Sequence, residues 1–167
     1  MLKHREDLLP PLRIGLLVVV TVLIGVAQNI FLMDLPVPII LSIPLTAAIA
    51  IREKELTSLL FGMLSGAILD LVSPIHDGVF TLTFALLAML VSLLARYKVR
   101  DTLAGAVVLT LFFTAVVYGV LYVFLLARLK SLSDAALRLF FPAMVFSAVL
   151  TPVFYYPIRF AEEKLRR

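Results

Sequence analysis

The run LTSLLFGMLSGAILDLVSPI, residues 56–75, is apolar throughout except for a few small polar residues and one acid, Asp70. It is long enough to cross the hydrocarbon of a bilayer, which takes about 20 residues of helix. Outward from it, charge-free runs occupy 14–33, 35–51, 78–95, 102–127 and 139–158. The 35–51 run is the shortest and only just reaches a spanning length, whereas the 102–127 run is long enough to tilt or to extend into the headgroups. Lipid offers backbone N–H and C=O groups no partners, so each run is read as a helix. A barrel would show alternating segments of about ten residues, and the sequence has no such alternation.

Composition points the same way. Of the 167 residues, 62% are hydrophobic and 16% charged, against about 45–50% and 25% in a soluble domain. Too few polar residues exist to cover a globule, which excludes both a soluble enzyme and a disordered chain. Six helices leave no room for a second domain, so residues 1–167 are expected to form a single transmembrane bundle, an all-α integral membrane protein. Cysteine is absent, which excludes disulfides and thiolate chemistry. The two histidines, His4 and His76, lie far apart.

Orientation follows from the loops. With six spans, one side holds Lys3, Arg5, Arg13, Arg52, Lys54, Arg96, Lys98, Arg100, Arg159, Lys164, Arg166 and Arg167, and the other holds Arg128, Lys130 and Arg138. Both termini are therefore expected to be cytoplasmic. The first run is too long for a signal peptide and lacks an A-x-A-like site after Met33, so it is read as a retained span. In the fifth loop, Leu129, Leu132 and Ala136 recur at helical spacing; 128–138 forms either a short interfacial helix or a continuation of the fifth span. The basic end, 159–167, is expected to meet anionic lipid headgroups.

Within the third span Ser58, Gly62, Gly66 and Asp70 recur every four residues and share one drifting face. The Gly62/Gly66 pair lets another backbone come close. That backbone belongs either to a neighbouring helix of this chain or to a partner's membrane helix. Asp70 is the one ionisable residue inside a run, about one turn from the outer boundary. Three roles are open to it: accepting backbone N–H bonds around the 73–78 loop, which is favoured, lining a small wet pocket, or relaying protons. A relay would need further buried acids or bases. With His76 and Asp77 it makes only a weak metal-site pattern, and no metal or cofactor is expected. Pro44 is expected to break one interior hydrogen bond of the second span and kink it, as are Pro142 and Pro152 in the sixth. Gln28 and Asn29 are expected to satisfy each other or nearby backbone. Tyr118/Tyr122 and Tyr155/Tyr156 read as packing and interface anchors. No nucleophile–base pair or phosphate-cradling loop is present, so no enzyme activity is expected.

The segment 60–71, LFGMLSGAILDL, followed by Ser73, Gly78 and an apolar span ending in a basic loop, resembles the rod shape-determining membrane protein family MreD. The shared pattern is G-x-x-x-G-x-x-x-D-L in the third span, and length and span count extend the likeness over the whole chain. The chain departs from the family where the second span opens, with Pro36-Val37-Pro38 and an earlier Asp34 in place of a Pro-Asp pair. The resemblance implies a non-enzymatic scaffold of the bacterial inner membrane. It would bind MreC, and through it couple the MreB cytoskeleton to a RodA-like glycosyltransferase and its penicillin-binding transpeptidase; nucleic acid has no part. The Ser58/Gly62/Gly66 face would supply the helix contact, with Asp70 fixing the outer end of the span. The family is also similar in fold to the six-helix substrate-binding subunits of energy-coupling-factor vitamin transporters, which is the rival reading. For that reading the outer half offers Gln28, Asn29, Asp34, Asp70, His76 and Asp77.

Overall fold

A computed structural model describes residues 9–31, 40–72, 78–97, 102–129 and 134–165, with side chains described over 13–30, 40–71, 78–96, 102–123 and 141–160. The described residues form six helices and no strand. They are α1 (Leu9–Phe31), α2 (Ser42–Arg52), α3 (Glu55–Val72), α4 (Val79–Tyr97), α5 (Leu103–Leu129) and α6 (Asp134–Leu165). Four helices, over Arg13–Ile30, Val79–Arg96, Leu103–Val123 and Phe141–Phe160, are long and apolar enough to cross a membrane.

The radial distribution of polarity is that of a protein solvated by lipid. Leu16, Val19, Leu23 and Ile30 of α1, Leu82 and Leu86 of α4, and Phe141, Val149 and Val153 of α6 are exposed. Thr21, Thr46, Ser65, Thr110, Thr114, Ser147 and Thr151 are buried. A soluble domain would not turn its large apolar side chains outward in this way. Four buried threonine hydroxyls donate to the carbonyl four residues back: Thr21 to Leu17, Thr110 to Ala106, Thr114 to Thr110 and Thr151 to Ser147. Each buried hydroxyl proton is thereby satisfied within its own helix.

The short helix α2 lies at the centre and touches all five others. Every residue from Ser42 to Ala50 is buried. One face places Ile43, Ala47 and Ala50 in a cluster with Leu69, Phe84, Val91, Phe113 and Val117. The opposite face places Leu45 and Ile49 beside Leu17 and Phe61. At 11 residues it is about 16 Å long, half the thickness of the hydrocarbon.

Several expectations are corrected here. The helix of the second span begins at Ser42 rather than 35, since Ile40 and Leu41 are not helical; Pro36, Pro38 and Asp34 lie outside the described residues. Pro44 consequently falls in the first turn, where backbone N–H groups have no intrahelical acceptor, and it breaks no interior bond. Gln28 does not pair with Asn29 or its own backbone. Its Oε1 accepts from the Ser42 backbone N–H at 3.0 Å and the Ser42 hydroxyl at 3.1 Å, so α1 caps α2 from outside. Of the 128–138 segment, Arg128 and Leu129 belong to α5 and Asp134 to Arg138 to α6, while 130–133 lie outside the described residues. Helix α6 then continues through Pro142, Pro152 and Pro157 to Leu165, taking in most of the basic end.

An interior proline costs a helix about 3 kcal/mol relative to alanine. Pro44→Ala should recover only a small part of that in reversible unfolding from mixed micelles. Gln28→Leu, which strips the acceptor from Ser42, should cost about 1–3 kcal/mol in the same assay.

Candidate functional site

The G-x-x-x-G-x-x-x-D stretch of α3 lies against α4, its most intimate neighbour. A Cβ on Gly62 would overlap the Phe84 carbonyl oxygen and stand 2.9 Å from Ala85 Cα. One on Gly66 would overlap the Phe80 carbonyl oxygen and stand 2.6 Å from Thr81 Cα. The obstacles are backbone atoms, which cannot swing aside as a side-chain tip can. Both glycines are therefore required by the α3–α4 contact. With no hydrophobic drive between helices in lipid, this closeness is what gives the pair its dispersion energy. The partner-docking alternative for this face is corrected accordingly, because α4 covers it.

One turn beyond Gly66, Asp70 accepts three hydrogen bonds from α4. The Phe80 N–H donates to Oδ1 at 3.1 Å; the Thr81 N–H and Thr81 hydroxyl donate to Oδ2 at 2.8 and 2.6 Å. Gly78, at φ +71°, turns the chain into α4. No side chain of α4 itself serves its first N–H groups in this way, and an acid on the preceding helix does so instead. Negative charge at a helix N-terminus is also favoured by the helix dipole. Asp70 thus accepts backbone N–H bonds, as the sequence suggests, but the described ones come from the first turn of α4 and not from the loop. The residues 73–77, including His76 and Asp77, lie outside the described residues. Among the described residues no group of three His, Asp or Glu side chains could hold a metal.

Ser58 shares the glycine face yet does a different job. Its hydroxyl lies 3.5 Å from the Ala50 carbonyl and 3.4 Å from the Glu53 carbonyl, at the C-terminal end of α2. The Ser92 hydroxyl of α4 donates to the same Glu53 carbonyl at 2.8 Å. Midway along α3, the Thr46 hydroxyl donates to Ser65 Oγ at 2.9 Å, joining α2 to α3.

A second polar cluster, invisible to spacing arguments, gathers around the tight α2–α3 turn. Arg13 of α1 pairs with Glu53 at 2.6 Å, and Arg96 of α4 with Glu55 at 2.9 Å. Arg52 donates to the Tyr155 hydroxyl of α6 at 3.1 Å, and its guanidinium carbon lies 5.1 Å from the centre of that ring. Tyr155 is thus buried against a cation, while Tyr156 is exposed. At the opposite end of the bundle Gln28, Ser42, Asp70 and Thr81 form the contacts described above, and Tyr118 of α5 shares a hydrogen bond with the backbone of Ile40. The pairing of ends shows that successive helices run in alternating directions.

Set against protein-family models, curated proteins and solved structures, the chain matches none. Its chemistry therefore rests on its own geometry. That geometry is a clamp between two helices, with hydroxyls, an amide and a carboxylate engaged within the chain.

Gly62→Ala and Gly66→Ala should each lower the thermal midpoint in detergent by several degrees, the equivalent of about 1–3 kcal/mol of overpacking. Gly15→Ala, where an added Cβ meets nothing within 4 Å, is the control and should leave the midpoint unchanged or raise it slightly, since alanine is the better helix former. Asp70→Asn keeps one acceptor oxygen and should be milder than Asp70→Leu, which leaves the Phe80 and Thr81 donors without a partner; equal losses would instead mean that charge is what matters.

Proposed function

We propose that this protein is a non-enzymatic scaffold of the bacterial cell-elongation machinery, embedded in the inner membrane by six helices with both termini cytoplasmic. In this reading it holds an MreC-like single-span protein and through it connects the MreB cytoskeleton to a RodA-like glycosyltransferase and a penicillin-binding transpeptidase. The observation that carries the reading is the 60–71 segment, whose glycines and acid resemble the MreD pattern and here make one α3–α4 clamp. The alternating helix directions support an even number of passes. The gathering of Arg13, Arg52, Lys54 and Arg96 at one end supports a cytoplasmic assignment for that end.

The rival reading, a substrate-binding subunit of an energy-coupling-factor transporter, needs outer polar groups free to converge on a ligand. Gln28 and Asp70 instead hold the starts of α2 and α4, which favours the scaffold. Since the glycine stripe is covered by α4, a partner's membrane helix would dock on an outward face. Among those, α1 and α6 enclose the smallest share of their spans.

Affinity purification from membranes in mild detergent, with mass spectrometry of the associated chains, tests this. Recovery of a single-span protein with a periplasmic domain, together with cell-wall synthases, is the expected outcome. A coupling membrane protein with paired ATPases would overturn it. The chain contains no cysteine, so topology can be read from single introduced thiols. An impermeant thiol reagent applied to intact cells stripped of their outer membrane should label Ser131→Cys and spare Lys54→Cys.

A further inference from the structure

The five helices around α2 follow one another in the order α1, α3, α4, α5 and α6, each packed on the next. Helices α1 and α6, the two ends of that series, both pack on α2 but form no extended contact with each other among the described residues. Side chains close the seam between them. Val20 and Ile24 of α1 and Phe154 and Ile158 of α6 lie against the cluster of Leu17, Leu45, Ile49 and Phe61. The earlier part of α6 belongs to the other cluster, where Ala143 joins Phe113, Val117 and Tyr118 of α5. The two parts of α6 are thus held by two separate sets of apolar contacts.

Between those attachments the backbone of α6 is weakened. Pro152 has no N–H to give the Ala148 carbonyl, and Pro157 has none for the Val153 carbonyl. Thr151 donates its hydroxyl to the Ser147 carbonyl at 2.7 Å, a contact that favours bending of a helix. Beyond Pro152 the helix is fastened through Tyr155, which is buried while Val153, Tyr156 and Phe160 around it are exposed. Arg52 at the end of α2 donates to the Tyr155 hydroxyl and lies over its ring. The seam itself is apolar, and apolar surfaces that part in lipid lose packing but oppose no hydrophobic drive. The polar contact of Arg52 with Tyr155 is therefore a specific hold on this part of α6.

We propose that the part of α6 beyond Pro152 is a gate that swings about the 147–152 stretch and is latched shut by Arg52 and Tyr155. Opening parts the α1–α6 seam and uncovers Leu45 and Ile49 of α2 from the side, while Ala143 keeps its place against α5. Helix α6 carries the chain on to Leu165, so the gate links the position of that basic end to the buried face of α2. The inference depends on the architecture of the bundle and not on the scaffold role.

Because cysteine is absent, pairs of introduced thiols can carry nitroxide labels, and pulsed electron paramagnetic resonance of the full chain in lipid nanodiscs reads the distance between them. Leu60 of α3 is the reference, since the glycine clamp holds α3 to α4; Leu60, Leu86, Val145 and Phe160 are all exposed. Phe160 lies eight residues beyond Pro152, a lever of about 12 Å. The Leu60→Cys/Phe160→Cys pair should show one main distance and a minor second population. Leu60→Cys with Val145→Cys, and Leu60→Cys with Leu86→Cys, should each show a single distance. Tyr155→Phe keeps the ring, removes the hydroxyl and should raise the ratio of open to closed about tenfold. Arg52→Gln, which removes the donor instead, should act in the same direction. Pro152→Ala restores the N–H and should abolish the second population. A single Leu60–Phe160 distance in both the parent and Tyr155→Phe would overturn the proposal. So would equal broadening of the Leu60–Val145 pair, which would mean that α6 moves as a whole. A second population that Pro152→Ala leaves unchanged would also overturn it, by placing the hinge elsewhere.

Discussion

A helix entering a bilayer must have its first N–H groups satisfied by something other than water, and the organisation of this bundle follows from that constraint. Helix α4 meets it through Asp70 of α3, which holds the Phe80 and Thr81 N–H groups. Helix α2 meets it through Gln28 of α1, which holds Ser42. In both cases the cap comes from a different helix, so secondary structure and tertiary packing become one requirement. Asp70 can reach α4 only because Gly62 and Gly66 bring the two backbones together. The glycines are bearable as helix residues because that contact returns more than their intrinsic cost of about 1 kcal/mol each.

The same logic governs the other end. The turn at Arg52, Glu53 and Lys54 is short, and its carbonyl and side chains are fastened to α1, α3, α4 and α6 by Arg13, Ser58, Ser92 and Tyr155. Between the two polar ends lies a central helix that is buried on every side. Such an arrangement concentrates specific interactions at two levels and leaves small and apolar side chains to fill the space between. It also explains why α2 needs no spanning length: its ends are received by protein rather than by water.

Function in this setting depends on which surfaces remain outside. The interior polar groups are engaged with one another, and the motif that draws the eye in the sequence is used up in joining α3 to α4. What remains on the outside are the apolar faces of α1 and α6, and on the proposed scaffold reading those are the surfaces offered to a partner.

Much of this was legible in the residues themselves. The apolar runs declared an all-helical protein and nearly placed α1, α3, α4 and α5, because spanning length and freedom from charge are local properties. The four-residue spacing of Ser58, Gly62, Gly66 and Asp70 marked a helix face, and the loop that follows suggested a capping role for the acid. Spacing alone left open whether the backbone meeting those glycines came from within the chain, since close approach looks the same in either case. Tertiary structure decided for α4, moved Pro44 harmlessly into a first turn, gave Gln28 to Ser42 and revealed the Arg13–Glu53, Arg52–Tyr155 and Arg96–Glu55 contacts. Those pairings join residues up to 103 positions apart, and periodicity carries no information about partners at that range. Sequence determined what each segment had to avoid, namely exposed backbone in lipid; three-dimensional packing determined which distant side chain satisfied it.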